Sequence, residues 1–121
     1  MSIRPELVPS VSVKDNETLS VSIRPELVVE TFTREGRTMT ITPPLRMPIE
    51  VTTEDGEPWF NVSNDEFCIH TGATTLTELS EDVAEWLFFK WDNYAHEDDA
   101  RLTRGAQLLK ATLLARVNVT P

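Results

Sequence analysis

Few side chains in this sequence are suited to chemistry. Cys68 and His70 stand two residues apart, and His96 precedes the acidic run Glu97-Asp98-Asp99; together these hold the one thiol and both imidazoles of the chain. A zinc site needs three or four such ligands converging at a recognisable spacing, and a lone Cys-x-His with a distant histidine does not supply them. A cysteine nucleophile needs its base within hydrogen-bond reach of the sulfur. Residues two apart on a strand share a face, but ordinarily stand too far apart for that bond. The Glu97-Asp98-Asp99 run lacks the loop pattern of a calcium hand and reads as a solvated connection. No G-x-G-x-x-G, Walker or G-x-S-x-G pattern occurs, and only four glycines are available to build one. The sequence therefore predicts no catalytic residue, no metal ligand and no cofactor, with Cys68 half-buried and His70 in solvent.

What is left to act is surface. The chain has 121 residues, enough for one domain around one core. Twenty acidic residues face 11 basic ones, for a net charge of −9. Such a surface repels a polyanion, which argues against direct nucleic-acid binding, and it suits a basic protein partner. No apolar run approaches the roughly 20 residues of a membrane-crossing helix. The N-terminus lacks the apolar stretch of a secretory signal, and a single cysteine cannot form an internal disulfide. These features together point to the cytoplasm and to no membrane contact.

The first third of the chain repeats itself. Ser2-Ile3-Arg4-Pro5-Glu6-Leu7-Val8 recurs letter for letter as Ser22-Ile23-Arg24-Pro25-Glu26-Leu27-Val28. Each copy reads as part of a hairpin. Val11 and Val13, then Leu19, Val21 and Ile23, alternate with polar residues around a turn near Asp15-Asn16. The stretch from Val28 to Thr33 precedes Glu35-Gly36, after which Met39 and Ile41 alternate with threonines. A third hairpin turns at Asp55-Gly56, between Met47-Ile49-Val51 and Phe60-Val62, and a short strand from Phe67 to Thr71 ends at Gly72. The duplicated strand also offers two equivalent segments for pairing with a neighbouring chain.

Helices follow. Thr75-Leu76-Thr77-Glu78 is a capping-box pattern, and Leu76, Leu79, Val83, Trp86 or Leu87, Lys90 and Tyr94 recur at three-and-four spacing. Glu78, Glu81, Asp82 and Glu85 crowd its first half, where the helix dipole favours negative charge. Its second half is aromatic around most of the circumference, so a sheet and a second element must cover it. That second element is either a C-terminal helix, capped by Thr103 and running to about Arg116, or another subunit; Val117 to Val119 then forms a short strand. The expected fold is α+β: an antiparallel β-meander of tandem hairpins packed against a long helix and a second C-terminal helix. Residues 1–121 form one domain, with a hairpin-repeat region over 1–45 and a sheet-and-helix core over 46–121. Trp59, Phe60, Trp86, Phe88, Phe89, Trp91 and Tyr94 are the expected partner or subunit interface, and the chain is expected to form homo-oligomers.

The stretch from about Met47 to Tyr94 resembles the HicB-like antitoxins. It carries a strand at Pro48-Ile49-Glu50-Val51, an Asp-Gly turn, a second strand bearing Trp59-Phe60-Asn61-Val62, and Gly72-Ala73-Thr74-Thr75 leading into a helix at Leu76-Thr77-Glu78-Leu79. The resemblance implies a three-stranded antiparallel sheet backed by a helix, similar to a truncated ribonuclease H, with the upstream hairpins extending that sheet. It also implies a role in neutralising a small, basic, RNA-cleaving toxin by covering its active surface. No helix-turn-helix or ribbon-helix-helix tail is legible, so the implied activity is protein binding. The other reading is a self-assembling scaffold held together by the duplicated strands and helix aromatics.

Overall fold

The computed structural model describes the backbone of residues 3–14 and 18–121, and the side chains of 3–7 and 25–121. The facing of Val11, Val13, Leu19, Val21 and Ile23 and the turn near Asp15-Asn16 lie outside the described residues. In chain order the elements are β1 (Ile3–Lys14), β2 (Thr18–Arg34), β3 (Arg37–Pro48), β4 (Glu50–Glu54), β5 (Glu57–Asn64), β6 (Ile69–Ala73), α1 (Leu76–Lys90), α2 (Arg104–Arg116) and β7 (Val117–Thr120). The fold is α+β, and the strands that follow one another as a meander divide into two antiparallel sheets, β1-β2-β3-β7 and β4-β5-β6. The upstream hairpins thus do not extend the three-stranded sheet. The chain leaves the first sheet after Pro48, where the Ile49 amide donates to the Pro25 carbonyl at 2.9 Å, and starts the second at Glu50.

Both described two-residue turns follow from their sequences. Glu35-Gly36 has φ of 52° and 79°, and Asp55-Gly56 has 51° and 80°. Left-handed backbone at both central positions makes the type I′ turn whose twist matches that of paired strands, and glycine takes the second position without strain. A register shift between Val29 and Thr31 changes the alternation of β2, so that Leu27, Val29 and Phe32 all enter the core.

The two copies of the heptapeptide lie against each other. Pro5 faces Leu27, Leu7 faces Pro25, and Glu6 faces its own counterpart, Glu26. Like charges directly opposite cost about 0.2–1 kcal/mol. Arg46 on β3 offsets this by reaching Glu6 at 3.1 Å and Glu26 at 3.6 Å, while Arg4 reaches Glu6 at 3.6 Å and Glu30 at 3.5 Å. Val28 sits between Arg4 and Arg46 on the adjoining strands and is fully buried on this outer face, consistent with cover from the arginine stems.

The same pairing fixes what β1 shows to solvent. A strand residue points its N–H and C=O to one side, and successive residues alternate. The Pro25 carbonyl turns toward β3's side to accept from Ile49, so Pro25 and Leu27 turn away from β1. Their partners Leu7 and Pro5 therefore turn away from β2, toward the open edge, as does Pro9 opposite Ile23. Two of the outward positions on this edge have no N–H to offer.

Helix α1 begins where the sequence indicates. The Thr75 side chain accepts from the Glu78 amide at 3.1 Å; Glu78 in turn accepts from the Thr74 hydroxyl at 3.3 Å rather than closing the expected reciprocal bond. Leu79, Val83 and Leu87 enter one continuous core that joins both sheets and both helices. The boundary between residues 45 and 46 lies inside β3. After Lys90 the helix widens into a π-helical turn, Trp91–Ala95, against which α2 packs. Asn93 donates to the Phe89 carbonyl at 2.7 Å, and Arg37 grips both oxygens of Asp92 at 2.6 and 3.0 Å. Hydrogen bonds from Arg37 hold the Asp92 carboxyl below its ordinary range. Among the described residues no helix is long and apolar enough to cross a membrane.

Candidate functional site

Cys68 does not share a strand face with His70. It closes the Asp65–Cys68 turn in the left-handed region, φ 54°, with its amide donating to the Asp65 carbonyl at 3.3 Å. The strand begins one residue later and continues through Gly72 to Ala73, so the expected span of Phe67 to Thr71 is shifted along the chain. The thiol is exposed rather than half-buried. His70 points into solvent with its Nε2 3.8 Å from Asp65, outside hydrogen-bond range. His96 stands edge-on to Trp91, with ring centroids 5.1 Å apart. Lys110 donates to the Glu97 carbonyl at 2.6 Å and to the Asp99 carboxylate at 2.8 Å, so the acidic loop is tied down by a lysine. Among the described residues no three His, Cys, Asp or Glu side chains are grouped to hold a metal ion.

The seven aromatics separate into four settings. Phe88 is 4% exposed, edge-on to Phe32 at 5.4 Å and beneath the Arg37 guanidinium at 4.7 Å; it belongs to the core and cannot meet a partner from there. Phe60, Trp91 and Tyr94 are partly buried and packed onto that core. Trp59 lies half-buried on β5, on the opposite face of the strand from Phe60. Only Trp86 and Phe89, 44% and 49% exposed, form an open aromatic pair, edge-to-face at 5.6 Å. Beneath them Lys90 is buried, with its ammonium 5.2 Å from the Trp86 ring.

This pair shares a groove of about 450 Å³ with Thr71, Asp82 and Glu85. The carboxylates come from the α1 face that carries the aromatics, because positions 82, 85, 86 and 89 are three and four apart. Their charge alone suggests partners of the helix dipole; the spacing to Trp86 and Phe89 is the signal in the sequence that they also flank the aromatics. Thr71 arrives from β6, whose Ile69, Thr71 and Ala73 side chains point toward the helix side.

The opposite face of the small sheet holds a shallow concavity of about 550 Å³ of mixed lining, including Pro48, Glu50, Asn61, Ser63 and His70. Asn61 lies across it, donating to Thr52 Oγ1 at 3.1 Å and to the Glu50 carbonyl at 3.4 Å. Its carboxamide passes directly over Gly72: a Cβ there would stand 2.4 Å from Asn61 Oδ1. Ser63 faces His70 across the ladder, but the exposed imidazole has no carboxylate close enough to orient it.

No protein-family model, curated protein or solved structure matches this chain.

Proposed function

We propose that this protein is a non-catalytic binding module that takes a basic protein partner on the acidic and aromatic groove of α1, in the manner of an antitoxin covering a basic, RNA-cleaving toxin. One observation carries the reading: Trp86 and Phe89 stand exposed together, flanked by Asp82 and Glu85. Aromatic side chains give large contact area at low entropic cost and dominate interface energetics. Flanking carboxylates, within a chain of net charge −9, steer a cationic partner and disfavour anionic ones.

Co-expression with a basic ribonuclease toxin from the same genome tests this. Rescue of growth is expected, with Trp86→Ala and Phe89→Ala each weakening the complex by about 2 kcal/mol or more. Asp82→Asn with Glu85→Gln should slow association and flatten its salt dependence. Rescue untouched by all four substitutions would place the contact elsewhere. A stable assembly of this chain with itself that buries Trp86 and Phe89 would favour the scaffold reading instead.

A further inference from the structure

The groove beside Trp86 and Phe89 runs along a bare strand edge. Glu54 and Glu57 close the Asp55-Gly56 turn, and the hydrogen bond across a two-residue turn joins these flanking residues. Their main-chain groups therefore face one another, and alternation turns Trp59, Asn61 and Ser63 toward β4 and Phe60, Val62 and Asn64 toward β6. Pro58, which has no N–H, falls at a position turned away from β4, in agreement with this assignment. On β6 the partners of Phe60, Val62 and Asn64 are Ala73, Thr71 and Ile69; these point inward. His70 and Gly72 hence turn their N–H and C=O groups to the open side.

Each of the other three sheet edges carries a block against pairing. On β1 the prolines at 5 and 9 remove outward donors. The glutamates at 50 and 54 charge β4 at both ends, and β7 is four residues long and runs into Pro121. Short length, charge and proline are the usual protections of an edge. Strand β6, Ile69-His70-Thr71-Gly72-Ala73, has no proline and no carboxylate, and beside it lie the two exposed aromatics.

We infer that β6 is extended by an antiparallel strand from the basic partner, bonded through His70 and Gly72, with an arginine at the partner position opposite Thr71. This rests on the protein-binding reading and specifies its contact. The residue opposite Thr71 sits between the two bonded rungs and sends its side chain to the same face as Thr71, into the groove. There a guanidinium meets the Asp82 and Glu85 carboxylates and the Trp86 and Phe89 rings, a combination that its planar, stacking and multiply donating group satisfies better than an ammonium does. A second copy of this chain would bring carboxylates to carboxylates at the same place.

The probe is the peptide acetyl-Val-Thr-Arg-Thr-Val-amide, followed by amide hydrogen exchange and by nuclear magnetic resonance shifts of the whole protein. Exchange at His70 and Gly72 should slow about tenfold at saturation, while Thr71, already paired with Val62, stays unchanged. Replacing the peptide arginine by glutamate should weaken binding by about tenfold or more, and by lysine a few-fold. His70→Pro removes an outward donor and leaves the β5 ladder bonds in place, so it should abolish that protection; an unchanged far-ultraviolet spectrum checks its fold. Asp82→Asn with Glu85→Gln leaves the backbone untouched and should erase the preference for arginine. Absence of peptide binding, equal binding of the glutamate peptide, or protection of His70 and Gly72 by the protein's own concentration alone would overturn the inference. If a basic protein binds through Trp86 while these two amides stay unprotected, the strand addition fails and the binding-module reading survives.

Discussion

β1 and β6 are both outermost strands of antiparallel sheets, and they present opposite surfaces to solvent. Two outward positions of β1, on either side of Leu7, are prolines, so a neighbouring strand finds fewer donors than acceptors there. Outward positions of β6 are a histidine and a glycine, both with free main-chain pairs, next to an open tryptophan and phenylalanine. The larger sheet carries its binding energy inward, where Leu27, Val29, Phe32, Met39 and Met47 are almost wholly buried. On the smaller sheet all of β4 is exposed, and only one face of β5 and β6 enters the core. Stability is concentrated in the first region and accessibility in the second.

That contrast can be broken at its strongest point first. Phe32→Ala empties a fully enclosed site and removes the edge contact to Phe88, so a loss of about 3–5 kcal/mol is expected in urea unfolding. Trp86→Ala with Phe89→Ala should change stability by no more than about 1 kcal/mol in total. A comparable loss in both would mean that the open aromatics are structural. Gly72→Ala comes next. Its methyl group meets Asn61, and a loss of about 1–3 kcal/mol is expected. Most of that loss should be recovered in an Asn61→Ser background, read as a double-mutant cycle.

The edges themselves are compared by unblocking one. Pro5→Val with Pro9→Val should shift stability by about 1 kcal/mol or less, yet light scattering should show mass rising with concentration. A strict monomer would mean that the prolines are not what keeps β1 unpaired. The smallest effect concerns acid. Asp92 titrates lower in the folded chain than in the unfolded one because Arg37 donates to it. Its contribution is therefore present above its unfolded value and disappears as pH falls through its folded value. Asp92→Asn should flatten the melting curve below about pH 4 and leave it nearly unchanged in strong salt, because the pair is half-exposed.

Local signals were legible in the sequence and their assembly was not. Glu35-Gly36 and Asp55-Gly56 identify their turns because so few backbones accept two left-handed residues in succession. Thr75 and Thr103 identify their caps, and the α+β class follows from the two periodicities. The division into two sheets was hidden, since Met47, Ile49 and Val51 alternate across the break without interruption. Cys68 reads as a strand residue because a left-handed cysteine leaves no mark in a sequence. Phe88 reads as an interface residue because it is one of five closely spaced aromatics, and only the position of Phe32 on β2 shows that it is enclosed within the chain itself. Asp82 and Glu85 were visible as charges, while the groove they line depends on where β6 ends.

The mutual pairing of the two heptapeptides has one more consequence. Rotation about the Glu6–Glu26 contact carries each copy onto the other, so the same inherited proline looks toward β3 from one copy and toward solvent from the other. In the inner copy its missing donor does no harm, because β3 ends at Pro48 and the chain turns away. In the outer copy the identical residue takes a donor away from the open edge. A third tandem unit would find two rungs of the ladder without donors, and the duplication therefore carries its own check against further pairing.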